Sequence, residues 1–123
     1  MRTAFIAAAT LAAVCLAGTA RADGDAAAGK TVFAKCAICH SPAQGRNMVG
    51  PSLFGVVGRT SASVSNFSYS AAMKTAAKTW DEATLDTYLT DPKALVPGTK
   101  MIFPGLKNAD DRKNVIAYLA TLK

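Results

Sequence analysis

The chain has 123 residues, half of them hydrophobic, and carries 14 Lys and Arg against 8 Asp and Glu, a formal charge of +6. That length suits one small domain, and the chain has a single His and three Cys, one of them, Cys15, in an N-terminal segment expected to be removed, so too few ligands remain for a four-coordinate zinc site. No nucleic-acid recognition motif accompanies the basic charge, which argues against nucleic-acid binding as its purpose.

Met1-Arg2-Thr3 opens with a positive charge, Ala4 to Leu16 is apolar, and Ala20-Arg21-Ala22 ends on small residues. This is the pattern of a secretory signal peptide, and its apolar run is too short to span a bilayer. Residues 1–22 are therefore expected to be removed, leaving one domain from Asp23 to Lys123 in an exported compartment, the bacterial periplasm or its equivalent. Cys15 would leave with the signal, so only Cys36 and Cys39 remain and no structural disulfide framework is available. Loss of Arg2 and Arg21 would leave twelve basic residues against eight acidic ones, a formal +4.

Asp23 or Asp25 is expected to cap a first helix running to about Lys35. Ala28, Val32 and Phe33 share one face of it, and Gly29 marks a close helix approach. The helix leads into Cys36-Ala37-Ile38-Cys39-His40, the Cys-x-x-Cys-His spacing that attaches a c-type haem. Two thiols on one turn can bond to the two vinyl groups of one porphyrin, and the next residue then aims its imidazole at the iron. A zinc site lacks further ligands, and a thioredoxin-like dithiol lacks its βαβ setting.

From Ser41 to Phe67 the chain is rich in Gly, Pro, Ser and Asn, which reads as a long turn-bearing loop, here wrapping a haem edge. A short helix is expected over Ser70 to Lys78, capped by Ser68 or Ser70. Asp81 caps the next, with Leu85, Tyr88 and Leu89 on one face, and Pro92 stops it. Asp91-Pro92-Lys93-Ala94 can start another turn with Pro at its first position. Asn108 caps the last helix, with Asp111 three residues on as in a capping box. Val115, Ile116, Leu119 and Leu122 form its buried stripe, Tyr118 sits at the margin, and Lys123 lies at the end, as the helix dipole favours. No alternating strand pattern appears, so the fold class is all-α, with helices and loops around a covalently attached haem. The haem-free form is expected to be largely unfolded, because a chain this small buries little apolar surface alone. Cooperative melting of a native-like apoprotein would show otherwise.

His40 supplies one axial ligand, and as the only histidine it rules out a second. Methionine, lysine or an open position remain. Met48 is close to His40 in sequence, and Met73 lies on a short helix where a Met is usually core. Met101 sits in the stiff, turn-rich segment Pro97 to Gly105, far enough downstream to reach the opposite haem face, and is the favoured ligand.

In this order and spacing, Cys36 to His40, Gly50-Pro51-Ser52-Leu53, Gly55 through Arg59, Phe67-Ser68-Tyr69-Ser70, Trp80, Tyr88 and Pro97 to Met101 resemble class I cytochrome c, in the subgroup close to the mitochondrial protein and its soluble bacterial relatives. The resemblance implies the small cytochrome c fold and one thioether-linked haem c held by Cys36 and Cys39, with His40 and Met101 as the iron ligands. It also implies that the Pro51 carbonyl accepts from His40, that Arg59, Tyr69 and Trp80 bind a haem propionate, and that Tyr88 and Thr99 flank the methionine sulfur. Met73 departs from the polar residue that relatives often carry near the sulfur ligand, and Pro104 stiffens the segment after Phe103.

With both axial positions filled, the iron has no place for substrate. The expected role is one-electron transfer between redox proteins rather than catalysis, at the high potential a thioether ligand favours. An open-site sensor, or a haem subunit of a larger enzyme, are the competing classes. Lys35, Lys93, Lys100, Lys107 and Arg46 flank segments expected around one haem edge, where they would steer a monomeric carrier onto acidic surfaces of its partners.

Overall fold

Each helix begins where a short polar side chain takes over a free backbone N–H. The computed structural model describes residues 24–123, and the expected signal segment lies outside them. Helix α1 (Ala26–Phe33) is capped by Asp25, whose carboxylate accepts from the Ala27 and Ala28 N–H groups at 2.8 and 3.3 Å. Ser70 caps α2 (Ala71–Ala76) by accepting from the Met73 N–H at 3.1 Å. Asp81 caps α3 (Glu82–Thr90) through the Thr84 N–H at 2.7 Å. Asp91 caps α4 (Pro92–Leu95), which opens on the expected proline. Asn108 caps α5 (Ala109–Ala120) through the Asp111 N–H at 3.0 Å.

The Asp81 cap carries a pH signature. Its bonds from the backbone and side chain of Thr84 hold the carboxyl below its ordinary value. A depressed folded-state pKa contributes stability that is present above the unfolded value, about 4, and is lost as pH falls through the folded one. Asp81→Asn keeps an acceptor but cannot titrate. The wild type's melting-temperature advantage over this variant is expected at neutral pH and should vanish in acid; an advantage independent of pH would remove the explanation.

Three boundaries differ from the sequence expectation. Helix α1 ends at Phe33, and single turns carry the chain on through the cysteines. Helix α2 stops at Ala76 because Ala77 adopts a left-handed conformation, φ 49°. Lys123 lies beyond α5, whose last turn holds no basic residue. Only half of the expected capping box forms: Asn108 accepts from Asp111, with no return bond among the described residues.

The core is all-α. Thr60 and Thr79 form an isolated bridge, and the described residues contain no strand. Helices α1 and α5 make the most extensive helix–helix contact. Gly29 permits it, because an added Cβ would fall inside the Asn114 carbonyl and 2.9 Å from Tyr118 Cβ. Beside it the Phe33 and Tyr118 rings meet at 5.1 Å, tilted by 56°. Leu85, Tyr88 and Leu89 of α3 and Val115, Ile116 and Leu119 of α5 are buried as expected, with Leu122 packed at the edge.

The stretch from Ser41 to Ser70 has no helix, so its backbone must find partners elsewhere. It bonds across the fold: Gly55 N–H to Leu122 O at 2.6 Å, Gly58 N–H to Trp80 O at 2.8 Å and Ser61 N–H to Lys78 O at 2.8 Å. These bonds pin the loop and bring Pro51, Arg59 and Tyr69 into fixed positions.

Candidate haem-binding site

The turn after α1 sets the thiols. The Cys39 and His40 N–H groups both bond to Cys36 O, at 3.0 and 2.9 Å, so the three residues share one turn. Both cysteines are half-buried and neither is in a disulfide. Burial pushes the Cys36 thiol up, Cys39 adds to this, and Lys35 opposes it. Among the described residues no group of three His, Cys, Asp or Glu gathers to hold a metal by itself.

The Gly50 N–H bonds to Cys39 O at 2.8 Å, which folds the loop back over the motif. The His40 ring lies directly on Gly50; a Cβ there would sit 2.6 Å from Nδ1 and 2.7 Å from Nε2. His40 Nδ1 donates to Pro51 O at 2.7 Å, leaving Nε2 as the free ring nitrogen. Such a bond fixes both tautomer and ring direction. Burial lowers the His40 pKa, with the Pro51 bond opposing and the Arg59 charge adding, so the neutral imidazole needed by a ligand is favoured. Sequence reading placed Gly50 in a motif but missed this steric role, which depends on where the ring lands.

Met101 enters from the other end of the fold. It is half-buried and packs on the core, with its Sδ 3.9 Å from the Tyr88 hydroxyl. Thr99 Oγ1 accepts from the Met101 N–H at 3.3 Å. Burial raises the Tyr88 pKa, and a Thr99 hydrogen bond opposes the rise, so the phenol stays a donor at neutral pH. Tyr88 in turn meets the buried Trp80 ring at 4.8 Å. Met48 is 41% exposed beside Gly50, and Met73 packs on the core from α2.

Arg59 Nη1 donates to Ser52 O at 3.0 Å and Phe54 O at 2.9 Å. The rest of its guanidinium makes no bond among the described residues, and it lines a cavity of about 420 Å³ with Gln44, Asn47 and Ser52. Burial lowers its pKa, while proximity to Tyr69 acts the other way. The Tyr69 oxygen accepts from the Val64 N–H at 3.1 Å, and the Trp80 indole N–H has no partner among the described residues. Asn47, absent from the sequence reading, and Ser52, present there only within a motif and given no role, build this wall: Asn47 Oδ1 accepts from Ser52 N–H at 3.0 Å, and Ser52 Oγ donates to Ala43 O at 2.6 Å.

Lys35, Lys93, Lys100 and Arg46 are exposed. Lys107 is exposed too, but its ammonium donates to Thr90 O at 2.8 Å, closing the C-terminus of α3.

Two thiols on one turn, a neutral imidazole with one free nitrogen, a thioether beside a hydroxyl, and unspent donors on Arg59 and Trp80 fit a covalently attached haem. That fit, on an all-α scaffold, defines a c-type haem protein. Residues 26–123 match the family Cytochrome c. The chain is 52% identical over 111 residues to cytochrome c2 of Rhodomicrobium vannielii, covering 89% of each protein. It is 54% identical to cytochrome c2 iso-2 of Magnetospirillum molischianum, over 80% of this chain and 99% of that one. Its structure is similar to cytochrome cH from Methylobacterium extorquens, with a TM-score of 0.76 and 46% identity over 80% of this chain and 99% of the other. The chain belongs to the cytochrome c family, with close relatives among the class I bacterial cytochromes. It is an electron carrier with one haem c, bound through Cys36 and Cys39. Among the described residues no helix is long and apolar enough to cross a membrane.

Proposed function

We propose that the chain is a one-electron shuttle whose haem iron is held between His40 Nε2 and Met101 Sδ. The carrying observation is that His40 has Nδ1 committed to Pro51 at 2.7 Å while the Met101 sulfur rests beside the Tyr88 hydroxyl. When bound, the haem supplies a couple between ferric and ferrous iron. Pro51 holds the imidazole in one tautomer and raises its basicity. The Tyr88 hydroxyl meets the thioether, Thr99 holds the Met101 backbone, and the buried core on which Met101 packs keeps water from that side. Arg59, Tyr69 and Trp80 offer hydrogen bonds to the propionates, whose charge then needs less bulk water. With ligands of both kinds in place no position is left for substrate, which supports a carrier rather than an enzyme. The ferric charge-transfer band of sulfur bonded to iron, with no carbon monoxide uptake by the ferrous protein, is the expected spectrum. Rapid carbon monoxide binding would favour an open site.

In this reading residues 1–22 are a removed signal peptide, residues 23–123 work as a monomer, and the compartment is the periplasm. The exposed Lys35, Lys93, Lys100 and Arg46 steer the protein onto acidic surfaces of its redox partners. Second-order transfer to such a partner is expected to slow roughly tenfold between about 10 and 150 mM salt, as the screening length shrinks from ~30 to ~8 Å. A rate indifferent to salt would remove the steering role.

A further inference from the structure

The segment bearing Met101 packs Met101 and Phe103 on the core, but its backbone is hydrogen-bonded only at its ends. On the entry side Thr99 N–H bonds to Val96 O at 3.0 Å, and Met101 N–H to the Thr99 hydroxyl. From Ile102 to Gly105 the backbone makes no hydrogen bond to the described residues. Ile102 projects wholly into solvent, 98% exposed. The exit is clamped. Leu106 N–H bonds to Leu89 O at 2.7 Å, and Gly105, at φ 106°, lies so close to Thr90 O that no Cβ would fit.

Arg112 of α5 completes the clamp. Its Nε donates to Asp86 Oδ1 at 2.8 Å, and its Nη1 donates to Leu106 O at 2.9 Å and Lys107 O at 3.1 Å. One guanidinium therefore joins α5, α3 and the loop exit. Its side chain is 13% exposed against 49% for Asp86, so the pair is shielded on the arginine side. The three bonds use the planar fork of arginine; a lysine ammonium at the end of a flexible stem cannot hold the same three acceptors from one rigid plane.

We propose that Arg112 is a positioning residue for Met101: by locking the loop exit to α3 and α5 it sets how rarely the sulfur leaves the iron. The proposal rests on the His40–Met101 reading. Local opening of a segment held at two ends is cheaper than global unfolding, so loosening one anchor raises the opened fraction first.

The test uses ferric holoprotein and imidazole as an outside ligand, which binds only when the sulfur has left. Urea unfolding followed by helix circular dichroism reports global stability on the same samples. Arg112→Lys keeps the charge beside Asp86 and is expected to tighten apparent imidazole affinity roughly tenfold, equivalent to about 1.4 kcal/mol. Asp86→Asn leaves the two carbonyl bonds and should tighten it by roughly threefold. Asp25→Ala, which removes the α1 cap, lowers the urea midpoint without changing imidazole affinity. Unchanged affinity in Arg112→Lys, or affinity that merely follows the urea midpoint across all three variants, overturns the proposal. A wild type lacking the sulfur–iron band overturns the axial reading itself and is recognised before any variant is compared.

Discussion

Met101→Ala is expected to abolish the sulfur–iron charge-transfer band and to lower the reduction potential by on the order of 0.1–0.3 V, a fraction of the ~0.8 V that axial ligands span. A thioether favours the electron-richer ferrous state, so its loss favours the ferric one. The ferrous variant should also take up carbon monoxide, which the wild type should refuse. The fold should survive: Met101 is half-buried at the rim of the core, and truncating such a side chain costs about 2 kcal/mol. Met73→Ala supplies the contrast. Met73 lies on α2, with its N–H on the Ser70 hydroxyl and its side chain against the core. It should cost stability and leave the band in place. A band that persists in Met101→Ala and disappears in Met73→Ala would move the ligand to the wrong helix and sink the axial reading.

The potential should depend on the Tyr88 hydroxyl as well, by less. At 3.9 Å its hydrogen bond to Sδ is a weak one. Such a bond draws electron density from the sulfur and orients the lone pair, so on the proposed axial reading it adjusts the ligand. On that reading the division of labour is then physical: sulfur identity sets the large term, and the Tyr88 donor sets the small one.

What was readable in the sequence is what is encoded over a few residues. Asp25, Ser70, Asp81, Asp91 and Asn108 all cap helices because an N-cap bond spans two or three residues and needs only a short polar side chain before an apolar run. The thiols and His40 were readable for the same reason. Helix ends were less so. Ala77 takes a left-handed conformation usually given to Gly, so nothing in the residue type announced the end of α2. Arg112 was invisible because its Asp86 partner is 26 residues away. It stands beside Lys113 on α5, and nothing in the residue type separates it from a solvated surface charge. Lys107 was expected to serve a partner surface, and the structure instead shows its ammonium on the end of α3. Long-range polar contacts leave no periodic trace, and the walls of the site are built from them.

The tightest steric constraint lies away from the haem residues. Gly29→Ala is expected to destabilise the protein by about 3 kcal/mol, against a total that for domains of this size is ~5–15 kcal/mol. Two effects compete. In an unpacked helix the same change would stabilise by about 1 kcal/mol, since Gly costs that much helix propensity. Here the new methyl group would fall inside the Asn114 carbonyl and 2.9 Å from Tyr118 Cβ. Neither obstacle can rotate aside, because one is backbone and the other is fixed to it. Helix α1 must therefore back away from α5, which opens the Phe33–Tyr118 contact and strains the Asp25 N–H bond to Asn114 Oδ1, 2.8 Å long. Ala27→Gly, on the exposed face two residues earlier, isolates the propensity effect and should cost only about 1 kcal/mol. Denaturant unfolding of the two holoproteins decides between the effects: if Gly29→Ala matches or exceeds the wild-type midpoint, propensity has won and the close approach of α1 and α5 is not what holds this end of the fold.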